Sequence, residues 1–252
     1  MNPSVRGPAD GMPRNEIPAA FDNAAAGYDR LVGVNPGYHR QLRLSARRLH
    51  LPGNGAGLRL LDVGCGTGAS TMALLRAAPE AEIIAVDASA RMLRRAAGKG
   101  FPSRVRFVHC TAEDLPTSGI SGPFDGILAA YLIRNLADPD ACLRQLRSLL
   151  RPGARLAVHE YSVRDSLLAR LVWHSVCWLV IIPAGRLVTG DGALFRHLWR
   201  SVTAFDGVAA FEQRLSGAGF TDVRAARMGG WQRGIAHTFL GTRPTEPAAN
   251  RP

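Results

Sequence analysis

The run Leu58-Arg59-Leu60-Leu61-Asp62-Val63-Gly64-Cys65-Gly66-Thr67-Gly68-Ala69 decides how the rest of the chain is read. Its apolar half has the composition of a buried parallel strand and stops at Val63. Alternating glycines follow, and Ser70 to Ala78 has the pattern of a helix. The spacing predicts a strand, a tight loop and a helix. Gly64 and Gly66 carry no Cβ that would hold a ligand off the backbone, and Gly68 lets the helix begin close to the sheet. The loop is expected to offer bare N–H groups and a helix N-terminus to a small molecule.

The residues around the glycines say which molecule. A pyrophosphate loop has the spacing G-x-G-x-x-G, whereas here the third glycine arrives one residue early. Asp62 sits at the loop entrance, where a carboxylate repels a diphosphate and attracts an ammonium. Asp87 closes a second apolar strand, Ile83 to Val86, and is placed to accept hydrogen bonds from a ribose diol. One amine, one ribose and no phosphate describe S-adenosylmethionine. The competing reading is a glycine turn without a ligand.

Working outward, 252 residues with 46% hydrophobic content suit one well-cored α/β domain with an insertion. Four dispersed cysteines form no C-x-x-C and seven histidines show no ligand spacing, so neither a disulfide framework nor a metal site is expected. No basic-apolar-small leader opens the sequence, and a reducing cytoplasm is the expected location. The net charge of +11 invites an anionic partner, yet the arginines are scattered and Lys99 is the only lysine. A solvated basic surface is the first reading, with a membrane or nucleic-acid surface as the others.

Residues 1–18 are rich in Pro, Gly and Asn and read as a disordered leader, and residues 244–252 as a flexible tail. Between them, 19–243 reads as a single domain. Residues 19–57 form a helical cap over the ligand site. Strands then alternate with helices: Val105 to Val108, Phe124 to Ala130 and Arg155 to His159 join the first two strands, with helices over 89–98 and 139–150 and a turn at Arg151-Pro152-Gly153. Such alternation implies a Rossmann-like, doubly wound α/β sheet, mostly parallel, with ligands at the carboxyl ends of the strands. Phe220 to Ala225 and Ile235 to Gly241 are expected as an antiparallel C-terminal hairpin. A helical insertion over 161–205 precedes it. Its segment Leu167 to Ile182 is apolar nearly all round, too short on this reading for a comfortable membrane span. A buried helix, a wall for a greasy substrate and an interfacial anchor remain open.

Taken together, these residues resemble the class I S-adenosylmethionine-dependent methyltransferases, and within them the ubiquinone and menaquinone biosynthesis C-methyltransferases. The wider likeness rests on Leu61 to Gly68, on Val86-Asp87-Ala88-Ser89 with Met92-Leu93, and on Ala112-Glu113-Asp114-Leu115-Pro116. The narrower one rests on Phe21-Asp22, Ala25 and Tyr28-Asp29, on Arg134-Asn135, and on Ile182-Pro183, Gly185 and Leu198-x-x-Ser201. The resemblance implies cofactor contacts from Asp62, Gly64, Gly66, Thr67, Asp87, Ala88, Met92, Thr111, Ala112 and Ala130. It also implies methylation of a ring carbon of a polyprenylated quinol precursor, a small hydrophobic acceptor. Thr111 stands where Asp or Asn is usual, Ala130 where serine is, and Phe239 where histidine is. Those departures bear on the acceptor more than on the cofactor, so another isoprenoid or lipid is the alternative. An RNA methyltransferase and a non-catalytic binding protein fit less well, since no aromatic-basic run accompanies the glycine loop and the loop's acids are intact.

Methyl transfer needs an in-line nucleophile and little else. A quinol carbon becomes nucleophilic when a neighbouring hydroxyl ionises, so a cation or a base is wanted. Arg134 is the candidate cation with Asn135 orienting it, its competing role being an ion pair with Asp138. His159 and Glu160 are candidate bases, and Tyr28 either closes over the cofactor or packs. Weak contact with an anionic membrane face is expected from the insertion, and no nucleic acid.

Overall fold

The computed structural model describes residues 12–13, 16–33, 35–190 and 192–245. Seven strands form one sheet: β1 Arg59–Val63, β2 Glu82–Asp87, β3 Val105–His109, β4 Phe124–Ala130, β5 Leu150–Tyr161, β6 Thr221–Arg227 and β7 Ala236–Thr242. Their spatial order is β3-β2-β1-β4-β5-β7-β6. The first five are mutually parallel, and β7 lies antiparallel between β5 and β6. This is the expected doubly wound sheet with an antiparallel C-terminal hairpin. The chain reverses direction across the sheet beside β1, which places the crevice for a ligand at the carboxyl ends of β1, β2 and β4.

Local chemistry sets the helices. Ser89 caps α4 (Ala90–Ala97) by accepting from the Met92 N–H at 3.1 Å, as its position before an apolar-periodic stretch predicts. Asp138 caps α5 (Pro139–Leu149) by accepting from Ala141 N–H at 2.8 Å. That carboxylate is therefore spent on a helix terminus. The sheet is covered on one face by α5 and α9 (Val208–Gly217), where Leu143, Leu146, Phe211, Leu215 and Phe239 are buried together. On the other face α2 (Tyr38–Arg47) and α3 (Ala69–Ala77) bury Leu42, Ala46 and Leu74. Phe239, the residue in the usual histidine position, packs its ring 4.7 Å from Phe211. Its departure fills core and leaves the site untouched.

Three expectations need correction. The Arg151-Pro152-Gly153 turn is absorbed into a longer β5, with Gly153 at φ +80°. Helix α1 (Ile17–Gly33) begins inside the stretch read as a leader; residues 1–11 and 14–15 of that leader, and residues 246–252 of the tail, lie outside the described residues. The insertion helix is longer than its apolar core suggested. α6 (Leu167–Val176) continues through a π-helical turn at Cys177–Ile181 into α7 (Ile182–Thr189), giving 23 residues, long and apolar enough to cross a membrane by those criteria alone. It is nevertheless folded onto the protein along one side, where Trp173, Cys177 and Ile182 are buried against α8 (Ala193–Ala204) and the sheet's end.

Candidate active site

A cavity of about 480 Å³ opens at the carboxyl ends of β1, β2 and β4, under α1. Gly64, Gly66, Thr67, Asp87, Ala88, Met92, Thr111, Ala112, Ala130 and Asn135 all border it. The glycine loop makes room in the way its sequence promised: Gly66 has φ +56°, and a Cβ there would project into open space. Its N–H groups are a different matter. Those of Gly64 and Cys65 donate to the Val86 carbonyl, that of Gly66 to Asp87 Oδ2 at 2.7 Å, and that of Gly68 to Cys65. Four of the loop's donors are thus already spent within the protein. A phosphate group needs such donors and a nucleoside without one does not, so the structure strengthens the reading drawn from spacing.

Asp87 is held by two backbone donors, Gly66 N–H on Oδ2 and Ser89 N–H on Oδ1 at 2.8 Å. Each oxygen keeps a lone pair for a ribose hydroxyl, in a fixed orientation. Asp62 behaves otherwise than expected. Its carboxylate is fully buried behind the loop, outside the cavity lining, and Oδ2 accepts from Ser70 Oγ at 2.8 Å and Thr71 Oγ1 at 2.6 Å. Strand alternation turns it under the first turn of α3. Its Oδ1 has no partner among the described residues, and burial pushes its pKa up to about 7. An orphaned, buried carboxylate oxygen one residue behind Ser70, which does border the cavity, suits an ammonium group. These residues fit S-adenosylmethionine: the Asp87 carboxylate for the ribose, Asp62 for the amino group, and the glycine surface between them. At the adenine end Thr111 is turned inward on the protein, donating to Asp114 Oδ2 at 2.7 Å.

Two acids read from the sequence only as part of the family's opening pattern, with no role attached, make contacts at the site. Asp29 accepts from Thr67 Oγ1 at 2.6 Å and pairs with Lys99 Nζ at 2.9 Å, while Lys99 also donates to the Thr67 carbonyl. Asp22 accepts from the Ser89 hydroxyl and from the Arg91 N–H at 3.0 Å. The Phe-Asp and Tyr-Asp pairs of α1 are therefore clasps that fasten this helix over the glycine loop and over the start of α4. Their seven-residue spacing on one helical face was the available signal. Asp29→Ala is expected to weaken cofactor binding by about fivefold, roughly 1 kcal/mol, through a looser α1. Titration calorimetry checks this; unchanged affinity would make the clasp ornamental.

A second cavity of about 210 Å³ adjoins the first. Tyr28, Tyr38, Tyr131 and Arg134 border both. Its other walls are apolar or aromatic: Val32, Tyr161, Trp173, Val176, Val180, Phe195 and Trp231 among them. Several of these come from the insertion helix, which so forms a wall of this cavity.

Comparison with known proteins agrees with this geometry. The model of the ubiE/COQ5 methyltransferase family matches residues 12–243. The chain belongs to that family. A ubiquinone/menaquinone biosynthesis C-methyltransferase of Syntrophotalea carbinolica is 33% identical over 93% of this chain and 97% of its own. A demethylmenaquinone methyltransferase of Clavibacter sepedonicus is 32% identical over 94% of each. Among solved structures, a methyltransferase of Thermotoga maritima described as a possible histamine N-methyltransferase has a TM-score of 0.63 at 21% identity, covering 90% of this chain and 99% of that one. Phosphoethanolamine N-methyltransferase 2 of Haemonchus contortus, with S-adenosyl-L-methionine, has a TM-score of 0.64 at 17% identity, covering 92% and 60%. At these identities the structural likeness is one of fold. The protein is a methyltransferase, and its methyl donor is S-adenosylmethionine.

Within this methyltransferase the candidate catalytic residues occupy unequal places. Arg134 reaches the wall between the cavities, and its partner is Glu160 rather than Asp138: Nη1 lies 2.5 Å from Glu160 Oε1, with both side chains almost wholly buried. Nη1 also donates to the Tyr131 carbonyl at 3.0 Å, and Nε to Ser201 Oγ at 3.2 Å. The Asn135 side chain makes no hydrogen bond to that of Arg134. Its Nδ2 donates to the same Tyr131 carbonyl at 3.2 Å and its Oδ1 accepts from His197, so it orients Arg134 only through that shared carbonyl. His159 borders neither cavity but stands behind the Tyr131 ring, fully buried, with its pKa pulled down to about 3 by burial and by the nearby Arg48 and His237. It is no base for a substrate proton. Tyr28 borders both cavities, and burial pushes its hydroxyl up to about 12.

Proposed function

We propose that this methyltransferase C-methylates an isoprenoid quinol precursor of the demethylmenaquinol type, at the cytoplasmic face of the membrane. The observation that carries the reading is the apolar second cavity, divided from the cofactor cavity by three tyrosines and one arginine. A flat aromatic ring there has its reactive carbon next to the cofactor, and the names of the curated relatives point to the same class of acceptor. When bound, the cofactor supplies an electrophilic methyl group. The chain's own part is to hold the ring in line, exclude water with aromatic walls, and place the Arg134 cation beside the quinol oxygen whose ionisation makes the carbon nucleophilic.

The outer side of the insertion helix supports delivery from a membrane. Leu167, Leu171, Leu179 and Leu187 are 65–87% exposed on it, and Arg164, Arg170, Arg186, Arg196 and Arg200 stand exposed around them. Such an apolar face rimmed by guanidinium groups fits an anionic bilayer surface. Inner and outer sides make separable predictions. Val176→Asp, in the cavity wall, is expected to reduce turnover of a long-tailed quinol about tenfold more than that of a tailless analogue. Leu179→Asp, on the outer side, is expected to abolish sedimentation with anionic vesicles and to leave turnover of the tailless analogue intact. Equal loss on both acceptors for Val176→Asp, with folding preserved, would remove the tail-binding role.

A further inference from the structure

Tyr131 follows β4 with φ +57°, a left-handed conformation rarely adopted by a bulky residue. Its surroundings impose it. The backbone N–H donates to the His159 carbonyl at 2.8 Å, and the carbonyl accepts from both Arg134 and Asn135. The ring is thereby pinned in the wall shared by the two cavities, with its hydroxyl 2.9 Å from His159 Nε2. Behind it runs a chain of buried polar groups drawn from three elements. His159 Nδ1 on β5 lies 3.0 Å from Ser45 Oγ on α2, Ser45 Oγ lies 2.8 Å from Thr238 Oγ1 on β7, and Thr238 Oγ1 accepts from Arg48 Nη1 at 2.7 Å. Ser45, His159 and Thr238 are wholly buried, while Arg48 reaches the surface and also donates to the carbonyls of Ala226 and Arg227.

The direction of every bond in this chain follows from its last member. A guanidinium can only donate, so Thr238 accepts from Arg48; Ser45 Oγ is the only other partner of its hydroxyl among the described residues and receives its single proton. Ser45 then gives its proton to Nδ1. A neutral imidazole whose Nδ1 accepts carries its hydrogen on Nε2, and that N–H donates to the Tyr131 oxygen. Burial keeps His159 neutral, so no second proton blurs the pattern. The Tyr131 O–H is left to point away from His159, free to donate, beside the Tyr161 ring, whose centroid is 4.7 Å from that of Tyr131. Tyr161 Oη receives Gln232 Nε2 at 3.5 Å. Both tyrosines border the second cavity.

We propose that the Tyr131–Tyr161 hydroxyl pair is the oxygen-recognition site of the acceptor cavity, donating a hydrogen bond to a phenolic oxygen, with its polarity fixed across the sheet by Arg48 through Thr238, Ser45 and His159. The inference rests on the proposed function in placing a phenol-like acceptor in the second cavity. It adds Tyr131 and Tyr161 as donors complementing the Arg134 charge, and recasts His159 as a positioning residue. A donor held in one orientation before binding needs no reorganisation when charge develops on the acceptor oxygen.

Two measurements test it. In protein with nitrogen-15-labelled histidine, ring-nitrogen NMR is expected to show His159 as the Nε2–H tautomer only, and Arg48→Met to turn it into a mixture. Binding of 4-nitrophenolate and of nitrobenzene, which lacks the phenolic oxygen, is then compared. Tyr131→Phe and Tyr161→Phe are each expected to weaken 4-nitrophenolate binding by about tenfold or more and to leave nitrobenzene binding unchanged. An Nδ1–H tautomer in the wild type, no wild-type binding of 4-nitrophenolate, or equal losses for both probes would overturn the proposal. Neither readout requires quinol turnover, so failure of the enzyme to methylate a quinol would count against the proposed function alone.

Discussion

Arg134→Ala is expected to lower turnover of the cofactor-saturated enzyme by about two orders of magnitude, with affinity for S-adenosylmethionine within about twofold of the wild type. The residue stands in the wall between the cavities, where the proposed function puts the negative charge that would gather on the acceptor oxygen as its neighbouring carbon attacks. The same substitution strands Glu160, whose Oε1 loses its guanidinium and whose Oε2 already lacks a partner among the described residues. Leaving one member of a buried ion pair alone costs about 3–5 kcal/mol, so the variant will also melt earlier. Arg134→Met combined with Glu160→Leu separates the two effects. It is expected to recover most of the stability and none of the turnover. Recovery of turnover together with stability would show that the arginine serves the fold alone.

Asp62 makes the second large prediction, on stability and binding together. Its folded-state pKa of about 7 stands above its ordinary value of 3.8 because burial disfavours the charged form. Above about pH 4 the unfolded chain has released this proton and the folded one has not. Folding therefore loses stability as pH rises from about 4 to 7, and above 7 carries the full cost, on the order of 4 kcal/mol. Asp62→Asn removes that cost. The cofactor-free variant is expected to be more stable than the wild type at pH 8, by a margin that shrinks as pH falls toward 4. It is also expected to bind S-adenosylmethionine at least about tenfold more weakly, since a neutral amide would replace the carboxylate facing the ammonium. Melting curves across pH and calorimetry at pH 8 check both halves. Greater stability with undiminished binding would reduce Asp62 to a strained structural residue.

The sheet was legible because its evidence is local: an apolar run, a glycine loop and a capped helix repeat along the chain, and Ser89 caps α4 where the pattern places it. Side-chain direction was harder to read. Asp62 and Asp87 look alike as acids at strand ends, yet one is turned under α3 and the other faces the cavity. The glycine loop's N–H groups looked free because their acceptors, Val86 and Asp87, lie on a neighbouring strand twenty residues or so away. Arg134 had a nearby candidate partner in Asp138, but helix capping claimed that carboxylate and left the arginine to Glu160 on the adjacent strand. His159 suggested chemistry by residue type alone, and burial overrules it. The insertion helix reads as a 16-residue apolar segment because Pro183 looks like a break; at the first turn after the π-helical stretch a proline is tolerated, and the helix continues to Thr189.

On the proposed function this chain adds the ring methyl group of an isoprenoid quinone. Mass spectrometry of quinones extracted from cells carrying and lacking the gene tests it most directly. Cells without the gene are expected to accumulate a quinone lighter by one methyl substituent, and the wild-type gene to restore the mature species while the Arg134→Ala gene does not. An unchanged quinone profile, with a different lipid or small molecule missing its methyl group, would contradict it.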